Sequence, residues 1–182
     1  MSITYRELAA HEAERISELT FYNEFNRFWR KVDGVRQWVE FYWLDEDFPD
    51  GCEAHLAALK ATFEGEGYVI GAFDGDLLIG FCSVNREMFG EQFKYVLLDQ
   101  IFLSTKYQRQ GIGKKLFLYC TEQGKRWGAD KLYICSSSAK ETLAFYRALG
   151  CMDAKEIIGG ISDDENDIEL EYNLRPLTYV WV

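Results

Sequence analysis

The residues of this chain best suited to chemistry are Gln108-Arg109-Gln110-Gly111-Ile112-Gly113, a short glycine-bearing turn. The apolar run from Tyr95 to Leu103 precedes it, and the helix-patterned segment from Lys114 to Trp127 follows. A strand that passes through such a turn into a helix aims a row of free backbone N–H groups, and the positive end of the helix dipole, at one spot. That spot suits an anion, most naturally a phosphate. Glycine at 111 and 113 would let a pyrophosphate reach the backbone donors without a Cβ in the way, and would permit a positive φ. Arg109, Lys114 and Lys115 add mobile positive charge. A Gly-x-Gly after a strand is more often only a tight turn into a helix, so the surrounding elements decide its meaning.

Those elements read as follows. Ser2 to Leu8 alternates weakly, as a first strand would, and Glu12 to Asn23 carries Ala13, Ile16, Leu19 and Tyr22 at a helical spacing. Phe28 to Val32 and Val35 to Trp43 are aromatic, β-favouring runs joined by Asp33-Gly34, a strong hairpin signal; a pair of short amphipathic helices is the alternative. Cys52 to Phe63 places Leu56, Leu59 and Phe63 on one helical face, and Gly67 to Phe73 and Leu77 to Asn85 are strands around Asp74-Gly75-Asp76. Tyr95 to Leu103 alternates little, as a strand buried on both faces should. A helix from Gly111 to Trp127 stopped by Gly128, a strand from Lys131 to Cys135 and a helix from Ala139 to Leu149 closed by Gly150 come next. Ala154 to Ile158 and Asp167 to Leu174 are the last predicted strands. This order implies an α+β fold with a mixed sheet rather than a repeating doubly wound one.

The order also excludes two familiar phosphate-binding designs. A dinucleotide-binding unit requires a third glycine where Leu116 stands, and an acidic residue at the end of the next strand, where Cys135-Ser136-Ser137 stands. The Gly-x-x-x-x-Gly-Lys-Ser/Thr loop of nucleotide triphosphatases is absent.

With 182 residues, 48% of them hydrophobic, and only two prolines, the chain is expected to form a single domain, 1–182. A net charge of −10 argues against nucleic acid or an anionic membrane as partner and favours a cationic one. The five cysteines, Cys52, Cys82, Cys120, Cys135 and Cys151, are widely spaced, so neither a metal site nor a disulfide framework is expected and they read as reduced core thiols. The start, Met1 to Ala10, shows no leader pattern and no apolar run has the length of a membrane span, so a cytoplasmic location is expected.

Two motifs resemble the GNAT superfamily of acetyl-CoA-dependent N-acetyltransferases. Ile101 to Leu116, containing Gln108-Arg109-Gln110-Gly111-Ile112-Gly113, resembles that family's central signature; Thr142 to Cys151, containing Phe145-Tyr146 and Gly150, resembles its later helix. Together they cover about residues 67–174. The resemblance implies a mixed, mostly antiparallel central sheet with helices on both faces and a splayed pair of central strands. It implies acetyl-CoA as co-substrate. Its pyrophosphate would be held by the backbone of Gln108, Arg109, Gln110, Gly111, Ile112, Gly113 and Lys114, and its pantetheine arm by the edge of Ile101, Phe102 and Leu103. The family's helix asparagine corresponds to Ala139, with Ser136, Ser137 and Ser138 just before it; Ser138 is expected to take over that contact. The aromatic that often follows Gly150 is here Cys151.

Acetyl transfer from a thioester to an amine needs a neutral amine, a polarised carbonyl and a proton for the departing sulfur. The resemblance implies that Tyr146 supplies the proton; read without it, Tyr146 is a packed helix aromatic beside Phe145. Asp99, a carboxylate in an otherwise apolar strand, is expected to share a face with Ile101 and Leu103. It serves either a hydrogen-bonding network or, as a base, removal of the amine proton through water. Glu87, Glu165, Asp167 and Glu169 are weaker candidates, and His11 and His55 stand near no motif. Cys120 and Cys135 lack a basic partner nearby in sequence, so direct attack in a ternary complex is expected over a covalent intermediate. The acidic groups Asp45-Glu46-Asp47 with Asp50 and Glu53, and Asp163-Asp164-Glu165 with Asp167, suit a cationic small-molecule amine, with Trp29, Trp38, Tyr42 and Trp43 as an aromatic wall. A peptide or protein amine, a non-catalytic acyl-CoA-binding module, and an interaction domain built on the aromatic hairpin are the alternatives. The bland reading of those aromatics is a core or the face of a homodimer.

Overall fold

The strand from Tyr95 to Leu103 forms as its apolar pattern requires, and the rest of a seven-stranded sheet is built around it. The computed structural model describes residues 2–162 and 164–175; Asp163, one member of the second acidic group, lies outside the described residues. The strands are β1 (Ile3–Glu7), β2 (Asn23–Val32), β3 (Val35–Asp45), β4 (Tyr68–Asp74), β5 (Leu77–Phe89), β6 (Tyr95–Leu103), β7 (Lys131–Ser136), β8 (Met152–Asp153) and β9 (Ile168–Asn173). The main sheet has the order β1-β4-β5-β6-β7-β9-β8, and β2 and β3 form a separate two-stranded ribbon. Every pairing is antiparallel except β6 with β7.

Helix α1 (Cys52–Glu64) and a 3-10 helix (Ala10–Glu18) cover one face, while α2 (Ile112–Trp127) and α3 (Lys140–Leu149) cover the other. Each face has its own core. Leu59, Val69, Phe73 and Phe81 pack on the α1 side, and Ile70, Ala72, Leu116 and Phe117 on the α2 side. Along β4 the alternation of Val69 and Phe73 with Ile70 and Ala72 supplies both cores at once.

The ribbon closes through Asp33 and Gly34, both at positive φ (50° and 82°), the backbone that a two-residue hairpin requires. The segment after Glu12 differs from expectation. Ala13, Ile16 and Leu19 lie three residues apart, which matches three residues per turn, and the segment forms a 3-10 helix that ends at Glu18 before Asn23 starts β2. Ala154 to Ile158 is not a strand either. The N–H groups of Lys155 and Ile158 donate to the Glu171 carboxylate and the Tyr133 hydroxyl, at 3.1 Å each, instead of to a neighbouring strand. Among the described residues no helix is long and apolar enough to cross a membrane.

Candidate active site

The parallel pairing of β6 with β7 covers only Tyr95, Val96 and Leu97 against Lys131, Leu132 and Tyr133. Beyond Leu97 the two strands diverge. The cause lies in β6 itself: Gln100 pairs with Ser83 but Leu98 with Val84, so Asp99 is an extra residue, a β-bulge that bends its strand. The closed end of the V is pinned by a fully buried network. Lys131 Nζ donates to Glu171 Oε1 at 2.6 Å, the Tyr95 hydroxyl donates to Glu171 Oε2 at 2.8 Å, and Lys131 also lies 3.5 Å from the Phe93 ring centroid.

The open edge of β6 offers alternate backbone groups to the cleft. Ser104 N–H donates to Ile79 O at 2.8 Å, so Phe102, two residues earlier, also turns its backbone to β5, and Ile101 and Leu103 turn theirs to the splay. Phe102 therefore differs from its expected role. Its ring packs on the α1 side, 4.9 Å from Phe48 and 4.7 Å from His55 between centroids.

At the end of β6 the chain makes the glycine turn. Arg109 and Gly111 adopt positive φ (59° and 80°), and Gly111 caps α2 in the left-handed conformation. Among the described residues the backbone N–H groups of Arg109, Gln110, Gly111, Ile112, Gly113 and Lys114 meet no acceptor, six consecutive donors at a helix start. Gln108 is not part of that row. Its N–H donates to Thr105 O at 3.1 Å and its side chain to Asn23 Oδ1 at 3.0 Å, tying the turn to the base of the ribbon. The two glycines serve different ends. A Cβ on Gly111 would meet nothing within 4 Å, so that residue is needed for its φ; a Cβ on Gly113 would come 3.3 Å from Phe145 Cε2, so its bareness serves the packing of α3. A pyrophosphate fits this donor row, with Arg109 and Lys114 exposed beside it. Lys115 is drawn away instead, its Nζ 4.3 Å from the Tyr5 ring centroid.

Ser138 is buried and its carbonyl accepts Trp29 N–H at 2.8 Å, so the ribbon docks on the loop that leads from β7 into α3. Tyr146, on α3, is 6% exposed, and among the described residues its O–H has no hydrogen-bond partner. Burial, with the thiols of Cys82, Cys151 and Cys135 nearby, holds its phenol well above the ordinary value, so it stays protonated.

On the α1 side of the splay lies a cavity of about 900 Å³, lined by Leu97, Leu98, Asp99 and Cys135 from the two strands, Asp50, Ile161, Ser162, and residues 164–167. The bulge decides where Asp99 points. Its Oδ2 lies 3.4 Å from Gln100 Nε2 and 3.5 Å from Thr62 Oγ1 on α1, so Asp99 faces α1 and does not share the face of Ile101 and Leu103. Burial raises its pKa, offset in part by Gln100, Thr62 and His55. Asp167 is raised by burial too, although Ser162 Oγ donates to it at 2.6 Å. Cys135 stands between the two sides of the cleft; burial, with Asp167, Glu169 and Asp99 around it, pushes its thiol up to about 12.

Among the described residues none of Asp50, Asp99, Asp164, Glu165 and Asp167 forms an ion pair. Arg36, a cation bound to the same segment, does not pair with them. The Arg36 guanidinium, on β3, donates to the backbone carbonyls of Glu165 (3.3 Å), Asn166 (3.3 Å), Asp167 (3.2 Å) and Trp29 (3.3 Å), which fastens the acidic segment to the ribbon without neutralising its carboxylates. The expected aromatic wall is not at the cavity. Trp29 and Trp38 pack on each other, Tyr42 donates to Glu24 Oε1 at 3.0 Å, Trp43 to Asp45 Oδ1 at 2.6 Å, and of the first acidic group only Asp50 lines the space. His55, which no motif marks, is brought against Gln100, beside Asp99. Neither His55 nor Arg36 carries a local sequence signal; both act across more than forty residues of chain.

The model of the acetyltransferase (GNAT) family matches residues 20–151. No curated protein matches the chain significantly. The fold is similar to that of a nourseothricin acetyltransferase (TM-score 0.70, 18% identity, 96% of this chain and 100% of that one covered). It is also similar to the PaiA N-acetyltransferase of Thermoplasma acidophilum in complex with coenzyme A (TM-score 0.58, 18% identity, 95% and 99% covered). A third similar fold is the ribosomal-protein-S18-alanine N-acetyltransferase of Escherichia coli (TM-score 0.58, 12% identity, 100% and 99% covered).

Proposed function

The chain belongs to the acetyltransferase (GNAT) family, and from that premise we propose that it acetylates a primary amine of a cationic small molecule, by direct attack on acetyl-CoA in a ternary complex. It is an acyltransferase, and acetyl-CoA supplies the activated acetyl group. The chain works as a single domain, 1–182, with residues 67–174 carrying the acetyl-CoA core and the segment before them on the acceptor side. One observation carries the reading: a single splay between β6 and β7 separates six free N–H groups at the start of α2 from a cavity lined by five carboxylates.

The donor side holds an anion and a strand-like arm: Arg109 to Lys114 by their N–H groups, Ile101 and Leu103 by their free edge, with Ser138 beside the cleft. On the acceptor side Asp50, Asp164, Glu165 and Asp167 attract an ammonium-rich molecule, because their charges converge on one cavity and none is neutralised by an ion pair among the described residues. Asp99 accepts a proton from the attacking nitrogen, directly or through water. The Tyr146 O–H donates a hydrogen bond to the departing sulfur. Its raised pKa makes it a weaker acid than a free phenol, so it keeps its proton and stabilises the leaving thiolate by that hydrogen bond: the C–N bond forms as the C–S bond breaks, Asp99 holds the proton from nitrogen, and the coenzyme A thiolate takes a proton from water on release. A neutral Cys135 thiol is a poor nucleophile, which favours direct transfer over an acetyl-cysteine. Positioning the two substrates in line is then the main contribution.

A thiol-release assay with acetyl-CoA and a panel of spermidine, kanamycin, lysine and an alanine-terminated peptide tests this. Turnover of the polycations, reduced about 10²-fold in Tyr146→Phe, is expected. Turnover of the peptide alone would replace the acceptor class, and tight coenzyme A binding without turnover of any amine would leave a binding module.

A further inference from the structure

His55 has an arrangement that the proposed chemistry does not by itself require. Its Nε2 lies 2.6 Å from Pro49 O and its Nδ1 2.9 Å from Gln100 Oε1, so both ring nitrogens face oxygen atoms. A carbonyl oxygen only accepts, so Nε2 carries a proton. The same is true of Nδ1, given how the Gln100 amide is oriented. Gln100 is buried, and its Nε2 donates to His55 O at 3.2 Å and to Asp99 Oδ2 at 3.4 Å. Turning the amide over would set its oxygen against two oxygens, one of them a carboxylate, and its NH₂ against the imidazole. The observed orientation is the one that satisfies all four groups, and it demands a ring protonated on both nitrogens.

The surroundings suit a cation. The rings of Phe48 and Phe102 lie 5.1 Å and 4.7 Å from the imidazole centroid. Of the titratable groups on the packed elements, Asp99 lies on β6 and Asp50 follows Pro49, and Cys52 and Glu53 begin the ring's own helix. Among these, Asp99 shares the amide of Gln100 with the imidazole.

We infer that His55 is a positioning residue for the acceptor side: as an imidazolium held by Pro49 O and Gln100 Oε1, it acts through the Gln100 amide to keep the Asp99 carboxylate ionised at the cavity wall. A carboxyl drawn into the half-buried bulge tends to keep its proton, and a protonated carboxyl cannot accept another. The imidazolium opposes that tendency without entering the cavity. The inference rests on the reading of Asp99 as the proton acceptor.

The test uses the full chain labelled with ¹³C and ¹⁵N. At pH 7 both His55 nitrogens are expected at protonated ¹⁵N shifts; one unprotonated nitrogen overturns the inference, and this arm needs no variant. In His55→Gln the Asp99 carboxyl ¹³C titration is expected to move up by about one pH unit. An unmoved midpoint also overturns it. Thiol release by Asp99→Asn with spermidine, or with whichever panel amine turns over, examines the underlying reading separately. Full activity there removes Asp99 as the base whatever the two NMR arms show.

Discussion

Gly113 and Phe145 are placed face to face: a Cβ on Gly113 would stand 3.3 Å from Phe145 Cε2 and 3.5 Å from Cζ. The two motifs that are separated in the sequence thus meet, α2 resting its first turn on the helix that carries Tyr146. The contact links the donor row to the residue expected to serve the departing sulfur.

Gly111→Ala is expected to cost about 1 kcal/mol, because alanine must adopt φ of 80° with no compensating contact. Gly113→Ala is expected to be close to neutral in stability. The helix gains about 1 kcal/mol of propensity, and Phe145 must shift by a few tenths of an ångström. Urea unfolding checks both. Equal destabilisation by the two changes would mean that the glycines serve one purpose and not two.

Asp99→Asn is expected to lower kcat/KM about 10²-fold while raising the melting temperature at pH 8. The sign follows from the direction of its shift. Burial raises the folded pKa above the unfolded value, so the folded state holds the proton more tightly, and stability is lost as pH rises from the unfolded toward the folded pKa. The gain from asparagine is therefore present above the folded pKa and vanishes below the unfolded one. Melting curves of both proteins from pH 8 down to pH 4 measure it, and a gain that grows on acidification contradicts the assignment. In the wild type, kcat/KM is expected to fall with acid as Asp99 takes up its proton, at a pH above the ordinary carboxylate range.

Arg36→Met is expected to release residues 164–167, raising their amide hydrogen exchange at least about tenfold with little change in α2. Arg36→Lys should restore little of the protection, because one ammonium cannot span three successive carbonyls as a planar guanidinium does. Exchange unchanged in Arg36→Met would show that the segment holds itself over the cavity.

Lys131→Met is expected to destabilise the fold by about 3–5 kcal/mol, since it leaves Glu171 charged and fully buried. The double variant Lys131→Met/Glu171→Gln should recover most of that loss, as a buried pair contributes little net energy once both charges are gone. Urea unfolding of the three proteins decides it. A double variant no better than the single one would assign the stability to the cation against Phe93 and not to the ion pair.

Much of the architecture is written in local chemistry. Asp33-Gly34 can close a hairpin because those two residues tolerate positive φ, Gly128 and Gly150 stop helices for the same reason, and Tyr95 to Leu103 is too evenly apolar to be anything but an interior strand. The 3-10 helix was legible in principle from the spacing of Ala13, Ile16 and Leu19, but a period of three and a period of 3.6 differ little over one such stretch. The loop after Met152-Asp153 was not legible, because its N–H groups are claimed by Glu171 and by Tyr133, whose proximity no window of sequence contains.

The sequence by itself determined the glycine turn proposed to hold the donor: a strand, a turn with two glycines and a helix start are neighbours along the chain, so their rules act within a few residues. The cavity proposed for the acceptor was decided by tertiary structure alone. The bulge at Asp99 depends on how β5 registers against β6, and it reverses the face on which the carboxylate falls. Arg36 reaches carbonyls 129 to 131 residues away, and His55 meets Gln100 across 45. Contacts at such separations depend on the register and packing of the whole sheet, and those emerge only when the chain has folded.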